Sequence, residues 1–411
     1  MNTLLTPNWI ATDTAAYFDS HCRLIGEFSR DWNSTWRDEA DGAKKGYTVQ
    51  VRIEQRWQVF EGQALQLQAI LNQTVPITIN HQFQVAHGWS SADDALVIEE
   101  AQHLYDEPAG KAMANKWDLV AGQEVYRNVY FQMGSPGVPI TSDATWTDGI
   151  AKLRNVAVPE DLIVVMDPKT QSKLLATNFG QFNPQRQISE YWRSGQFAGE
   201  AMGAQAWMWD PNMPTHTTGT FTQSTPLVSG ASQTGSTLLT SGWGTYAFKQ
   251  GDTFYLAGVN AVHPYSYADS GDPQAFVLLA DQSGASTATL SFAPPIITSG
   301  PLQTVTASPA NNASISFVGA TGTVNATMSA ISSKQSLLFN PGAFAFVMAD
   351  LPVNLAGAKA GRTSEEVGRN DKISMRYVDQ YSITTDQLPR RLDSIGGVAT
   401  ILPYFAMRMW S

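Results

Sequence analysis

Lys249-Gln250-Gly251-Asp252-Thr253-Phe254-Tyr255-Leu256-Ala257-Gly258-Val259 holds a turn of the form K-x-G-D, then an alternating strand, then A-G-V. Outward from it, strand-sized runs lie at Gly244 to Phe248, Ala275 to Ala280, Ala288 to Phe292 and Ser314 to Val318, separated by Gly, Pro, Asn or Asp turns. Alternating apolar runs punctuated at that spacing predict a small all-β domain. The whole stretch 218–335 is rich in Gly, Ser, Thr, Ala and Val and poor in charge. Mixed composition returns after Leu337, so the β domain reads as an insert in a larger α+β domain.

Residues 1–45 are mixed and aromatic (Trp9, Tyr17, Phe18, Trp32, Trp36) and read as a helical or irregular arm. Val49, Val51 and Ile53 alternate with Gln50, Arg52 and Glu54, and Leu65 and Leu67 alternate with Gln66 and Gln68 about the turn Glu61-Gly62. This period of two predicts a long, half-buried hairpin with a polar face. Ser91 to Asp94 can open a helix, with Ser91 as its cap and acidic residues at the positive end of its dipole. An apolar stripe runs on to about Phe131, and Pro108 and Gly110 should kink or divide it. Leu162 to Met166 reads as an apolar strand, followed by a helix opened by Asp167-Pro168. At the C-terminus Ile373, Met375 and Tyr377 alternate with polar neighbours, and Val398 to Met409 reads as a last strand broken by Pro403.

At 411 residues the chain exceeds what one core usually serves, so two or three domains are expected. Only 15% of residues are charged, which leaves little to keep surfaces from associating. The twelve Trp fit either a filled core or buried contact with a partner. A net charge of −10 excludes a basic, whole-domain footprint for nucleic acid. Cys22 is the single cysteine, so neither an intrachain disulfide nor a Cys metal cluster can form. We read no signal peptide at the N-terminus and no membrane span.

Glu100-Ala101-Gln102-His103 places a carboxylate and an imidazole on one helix face, but ferritin-like iron chemistry uses a bundle with several such helices, and a solvated acidic face is the simpler reading. His81 and His87 share a strand face without an evident third ligand. Arg390-Arg391 with Arg408 form a small basic cluster, best read as paired with Asp386 and Asp393. No nucleophile elbow, Walker A loop or G-x-G-x-x-G occurs, so no enzyme reading has an anchor and no cofactor is expected.

The K-x-G-D turn, its strand and A-G-V, then Pro264, Phe276 to Leu279 and Pro294-Pro295, resemble the inserted β domain of coat proteins from short-tailed enterobacterial phages. Ser336-Leu337-Leu338-Phe339-Asn340-Pro341-Gly342-Ala343-Phe344 is similar to that family's return into the shell domain. Ile373 to Tyr377, Gln380 to Ile383, Arg391-Leu392-Asp393, Gly396-Gly397 and Leu402-Pro403 then run in the family's order. The motif-level resemblance spans about 245–411; the N-terminal half matches in architecture.

The resemblance implies an α+β Hong Kong 97 type capsid fold. Its parts would be an N-terminal arm (1–45), an extended hairpin loop (46–74), a peripheral domain with the spine helix (75–135), an axial domain (136–217 and 337–371), the inserted all-β domain (218–336) and a C-terminal return to the peripheral sheet (372–411). It implies a non-enzymatic major capsid protein that self-assembles, as hexamers and pentamers, into the icosahedral virion shell around packaged double-stranded DNA, without sequence-specific DNA binding. Assembly would occur in the host bacterial cytoplasm, with a scaffolding protein, a portal and a decoration protein as partners and no membrane. A bacterial nanocompartment shell is the alternative with the same fold. On the hairpin, Arg52, Glu54, Arg56 and Glu61 are the expected subunit-interface residues, each exposed pair contributing about 0–1 kcal/mol. Residues 46–74 contain no Lys, so a non-covalent shell is expected.

Overall fold

The structure, a computed structural model, describes residues 7–33, 46–90, 106–178, 202–322, 325–353, 359–363, 366–367 and 371–410. The chain divides into two compact units. One comprises Met1–Val51, Thr74–Ala121 and Phe344–Ala399; the other comprises Arg52–Gln73, Gly122–Ala343 and Thr400–Ser411.

In the first unit, Gln387–Thr400 is the central strand of a five-stranded sheet. It lies between Phe344–Met348 and Met375–Asp379, which in turn pairs with Lys359–Thr363. His81–Ser90 also pairs antiparallel with the central strand, from Gln387 opposite Ser90 to Gly396 opposite His81. The helix Glu107–Val125 begins with Pro108 in its first turn, where a missing N–H costs nothing. The segment that would precede a kink or division at Pro108, with Ser91 to Asp94 and Glu100 to His103, lies outside the described residues. Fully buried Trp117 on this helix meets Phe83 at 4.7 Å and Phe346 at 5.2 Å, and its Nε1 donates to Ser394 Oγ at 2.9 Å. Asp118 accepts the backbone N–H groups of Arg23 and Ile25, both at 3.0 Å, which ties the segment after the helix Pro7–His21 to this core.

The second unit contains a six-stranded sheet ordered Phe131–Met133, Ala406–Trp410, Ser332–Phe339, Ile163–Met166, Ala206–Trp209, with Thr215–Thr217 on the far end of Ser332–Phe339. Met407, Met409 and Leu338 share a core with Trp146, Ile150 and Leu153 of the helix Asp143–Asn155. Ser142 caps that helix through the N–H of Ala144, and Asp167 accepts from Lys169 N at the start of Pro168–Asn178, as a side-chain N-cap should. The segment 372–411 is thus not one return into a single sheet. A short 3-10 turn, Pro403–Phe405, separates Gln387–Thr400 from Ala406–Trp410, and the last strand belongs to the second unit. All five of its residues are buried, which an apolar segment covered on both faces requires. The 46–74 and 75–135 spans are likewise each divided between the units.

The second unit also carries eight strands between 220 and 328. In order across the sheet they are Ile315–Phe317, Thr253–Val262, Asp269–Leu278, Gln282–Ile296, Gly235–Phe248, Thr220–Ser224 and Ala326–Met328, with Leu227–Val228 against Gly235–Phe248. Leu227 also bridges Ser314, and Ile315 N donates to Pro226 O, so six of the strands form a closed ring. Closure removes sheet edges that would otherwise pair with other chains. The core of this lobe is aromatic: Phe221, Trp243, Phe248, Phe254, Phe276, Phe292 and Phe317 are all buried, with Phe248 and Phe317 stacked at 5.0 Å. Gly235–Phe248 and Gln282–Ile296 run well beyond the predicted Gly244 to Phe248 and Ala288 to Phe292. Their extra length mixes Ser, Thr, Gly and Ala with the buried Leu238, Trp243 and Ile296, and register shifts on either side of Trp243 break the period of two.

Candidate functional site

Thr48–Arg52 pairs with Thr74–Thr78, and the chain between them, 53–73, forms a hairpin with an unusual seam. Backbone pairing reaches Ile53 N to Gln73 O at 3.0 Å and then gives way to glutamine side chains. Gln55 Nε2 donates to Ala69 O (3.0 Å) and its Oε1 accepts from Leu71 N (3.1 Å). Gln68 does the same from the opposite limb, donating to Gln58 O at 2.5 Å and accepting from Gln58 N at 3.0 Å. Each primary amide stands in for a peptide group, so the limbs are held apart without a strand ladder. The predicted alternation holds over Thr48–Arg52, where Val51 is buried, and is corrected beyond Ile53 and over 64–69, where no strand forms. So is the prediction of the buried face: Gln68 is half-buried, while Val59, Leu65, Leu67 and Ile70 are 95%, 85%, 86% and 74% exposed. Trp57 and Phe60 add to this apolar surface. Large exposed apolar side chains clustered on one loop are the kind of surface that protein partners cover.

Of the four charged residues expected on this hairpin, Arg52, Glu54 and Glu61 are exposed. Arg56 is half-buried: its guanidinium lies 4.7 Å from the centre of the Tyr404 ring, a cation–π contact within the chain. Glu54 and Arg56 border a pocket of about 260 Å³ whose other walls include Tyr130, Pro264, Gln274 and Tyr404. Sequence spacing showed Arg56 as one member of a charged row; nothing in it marked Tyr404 as its cover.

The second polar constellation was missed in the sequence. Asp252, the last residue of the K-x-G-D turn, is buried and accepts from Lys249 N (2.8 Å) and from Gly219 N through both oxygens (3.2 and 3.1 Å). Its Oδ1 also meets His216 Nε2 at 2.9 Å, and His216 Nδ1 meets the Tyr126 hydroxyl at 3.2 Å. Arg408 is fully buried beside them, donates to Gly251 O at 2.8 Å, and lies 5.4 Å from the Trp410 ring. Arg408 therefore does not join Arg390 and Arg391 in one cluster. Strand alternation turns it to the face opposite Met407 and Met409, toward the β lobe's turn. The signal was available: a lone Arg in the otherwise apolar run Ala406–Trp410 needs a buried acceptor.

Arg391 Nε and Arg376 Nη2 both donate to the buried carboxylate of Asp393 at 2.5 Å, whereas Asp386 accepts from the Tyr381 hydroxyl. His81 and His87 do share one strand; His81 stacks on Phe83 at 5.7 Å, and burial, then Arg390, holds the His87 pKa below its usual value. Among the described residues no group of three or more His, Cys, Asp or Glu is placed to hold a metal ion, and no helix is long and apolar enough to cross a membrane.

No curated protein matches the chain. Among solved structures it is similar to a chain from Mycobacterium phage Che8 (11% identity, 94% of this chain and 90% of that one, TM-score 0.46). It is also similar to a chain in the asymmetric unit of the bacteriophage PhiM1 mature capsid (9%, 89% and 82%, TM-score 0.41). A third is a virus-like particle from Pyrococcus furiosus (7%, 98% and 97%, TM-score 0.39). The family described as P22 coat protein, gene protein 5, matches residues 66–406, from the second limb of the hairpin through the β lobe to the start of the last strand. Spanning most of the sequence, that match decides the identity: the chain belongs to the P22 coat protein family, has the Hong Kong 97 type capsid fold, and is a tailed-phage major capsid protein that builds the virion shell.

Proposed function

We propose that the hairpin 53–73 is the arm by which each subunit grips its neighbour in an icosahedral shell of hexamers and pentamers around packaged double-stranded DNA. The observation that carries this reading is the solvent exposure of Val59, Leu65, Leu67 and Ile70 on a loop with no apolar surface of its own to cover them. Burying one such side chain against a partner contributes about 1.5–3 kcal/mol. The charged residues Arg52, Glu54, Arg56 and Glu61 supply register around that apolar contact, with about 0–1 kcal/mol from each exposed pair. Apolar contacts thus supply affinity and the charges supply alignment.

In the same reading the aromatic core between 221 and 328 belongs to an inserted domain of about 218–336, and the remainder supplies arm, peripheral and axial parts. Scaffolding, portal and decoration proteins are the further partners, assembly takes place in the host bacterial cytoplasm, and the acidic subunit encloses DNA without reading its sequence. The protein's part is structural, not catalytic. The nanocompartment alternative gains nothing from a family match to a phage coat protein.

Negative-stain microscopy of the expressed full-length chain tests the reading: shells, sheets or tubes are expected, and a monodisperse monomer under all conditions refutes it. Boiled particles should run as monomer on a denaturing gel, since 46–74 offers no Lys for cross-linking; covalent ladders would refute that part.

A further inference from the structure

We propose that Asp252, His216 and Arg408 form a latch that docks the Lys249–Asp252 turn of the β lobe onto the six-stranded sheet of the same unit, and that this latch opens in mildly acidic conditions when His216 takes a proton.

Four chain segments meet at the latch. Thr215–Thr217 brings His216 and runs into the lobe at Gly219; the turn between Gly235–Phe248 and Thr253–Val262 brings Gly251 and Asp252. The end of Glu107–Val125 leads into Tyr126, and the last strand brings Arg408 and Trp410. The fit is tight in a way that two glycines make possible. A Cβ on Gly219 would lie 2.6 Å from both Ala247 O and Asp252 Oδ2, and Gly251 has φ +94° with its Cβ position 3.3 Å from His216 Cε1. A side chain at either position would push the turn off its seat.

The charges balance in one protonation state only. With Nε2 donating to Asp252 and Nδ1 accepting from the Tyr126 hydroxyl, His216 is neutral and both ring nitrogens are used. Asp252 is then the one buried anion and Arg408 the one buried cation of the latch. The charged or titratable groups facing the imidazole are Asp252, Tyr126, Arg408 and, farther out, the exposed Arg127. A proton on His216 adds a second cation to a site already holding Arg408. Burial, foremost, and the two arginines hold the His216 pKa below its usual 6.5, against the opposing pull of Asp252. The sign follows: a released imidazole takes its proton near pH 6.5 while the docked one resists it. The docked state therefore keeps its full stability above that pH and loses it as the pH falls below. Among the described residues the lobe buries no His and no carboxylate besides Asp252, so the latch should open without unfolding the lobe.

Hydrogen exchange of the full-length wild-type chain between pH 8 and 5, expressed as protection factors, tests this. Amides at 215–219 and 249–252 should lose severalfold, up to about tenfold, in protection between pH 7.5 and 5.5, while those of Phe254, Phe276 and Phe292 keep theirs. H216Q, which retains a neutral donor toward Asp252, should flatten that profile. Protection at 215–219 and 249–252 that stays constant with pH overturns the proposal, as does parallel loss across the lobe core, or an H216Q profile matching wild type. The wild-type profile decides the matter even where H216Q folds poorly.

Discussion

The hairpin 53–73 and the lobe between 220 and 328 are written in the same sequence pattern, alternating apolar and polar residues around Gly turns, and they reach opposite ends. Among its described residues the lobe curls its strands into a ring and buries eight aromatic rings inside. The hairpin has no second layer, its limbs are stitched by Gln55 and Gln68, and its Leu and Val side chains stand in solvent. One apolar face stabilises the monomer; the other stands exposed, and we propose that a neighbouring copy covers it. Alternation alone states that a face will be buried, not whether within the chain or by another copy.

The most forceful way to break this comparison is to replace Leu65 and Leu67 together by Ser. Shell assembly should weaken by about 3–6 kcal/mol per contact, since each buried Leu contributes about 1.5–3. Monomer stability should stay within about 0.5 kcal/mol, as for most exposed sites. Particle yield by light scattering and thermal unfolding of the monomer read the two effects separately; a lower melting temperature with normal particles would invert the assignment. The lobe should answer the other way. Phe254→Ala removes a ring packed at 5.5 Å from Phe276 and 5.3 Å from Phe317 and should cost about 3–5 kcal/mol of folding stability, seen in denaturant melts.

Smaller changes sharpen the contrast. Gln68→Ala removes two cross-hairpin hydrogen bonds, each worth about 1 kcal/mol, and should raise proteolysis within 53–73 while the lobe stays resistant. Arg56→Glu should have the mildest effect, about 1 kcal/mol: it loses the cation–π contact with Tyr404 and one alignment charge, lowering assembly yield at constant monomer fold. An Arg56→Glu defect larger than that of the Leu pair would show that charges, not apolar contact, hold the neighbours together.

Much of this protein was legible before its structure. The strands near 253, 276 and 315, the helix after Asp167-Pro168, the break at Pro403 and the membership of a phage coat family all followed from local chemistry, because turns, caps and Pro act over a few residues. The extra length of Gly235–Phe248 was not legible, since register shifts around Trp243 break the period of two between the buried Leu238, Thr240 and Tyr246. Nor was the inversion at Gln68, where a side-chain amide replaces a backbone partner.

What the sequence determined by itself was a low-charge, aromatic chain with a β-rich stretch set between mixed segments, and with family motifs strong enough to name its kind. What only the tertiary structure decided was which copy of an alternating face stays outside, and that Arg408, Asp252 and His216, far apart along the chain, share one buried site. The physical reason is the same in both cases. Whether a side chain is covered, and by what, is a property of long-range packing, and no local pattern of residues encodes the partner that will arrive from far along the chain or from another subunit.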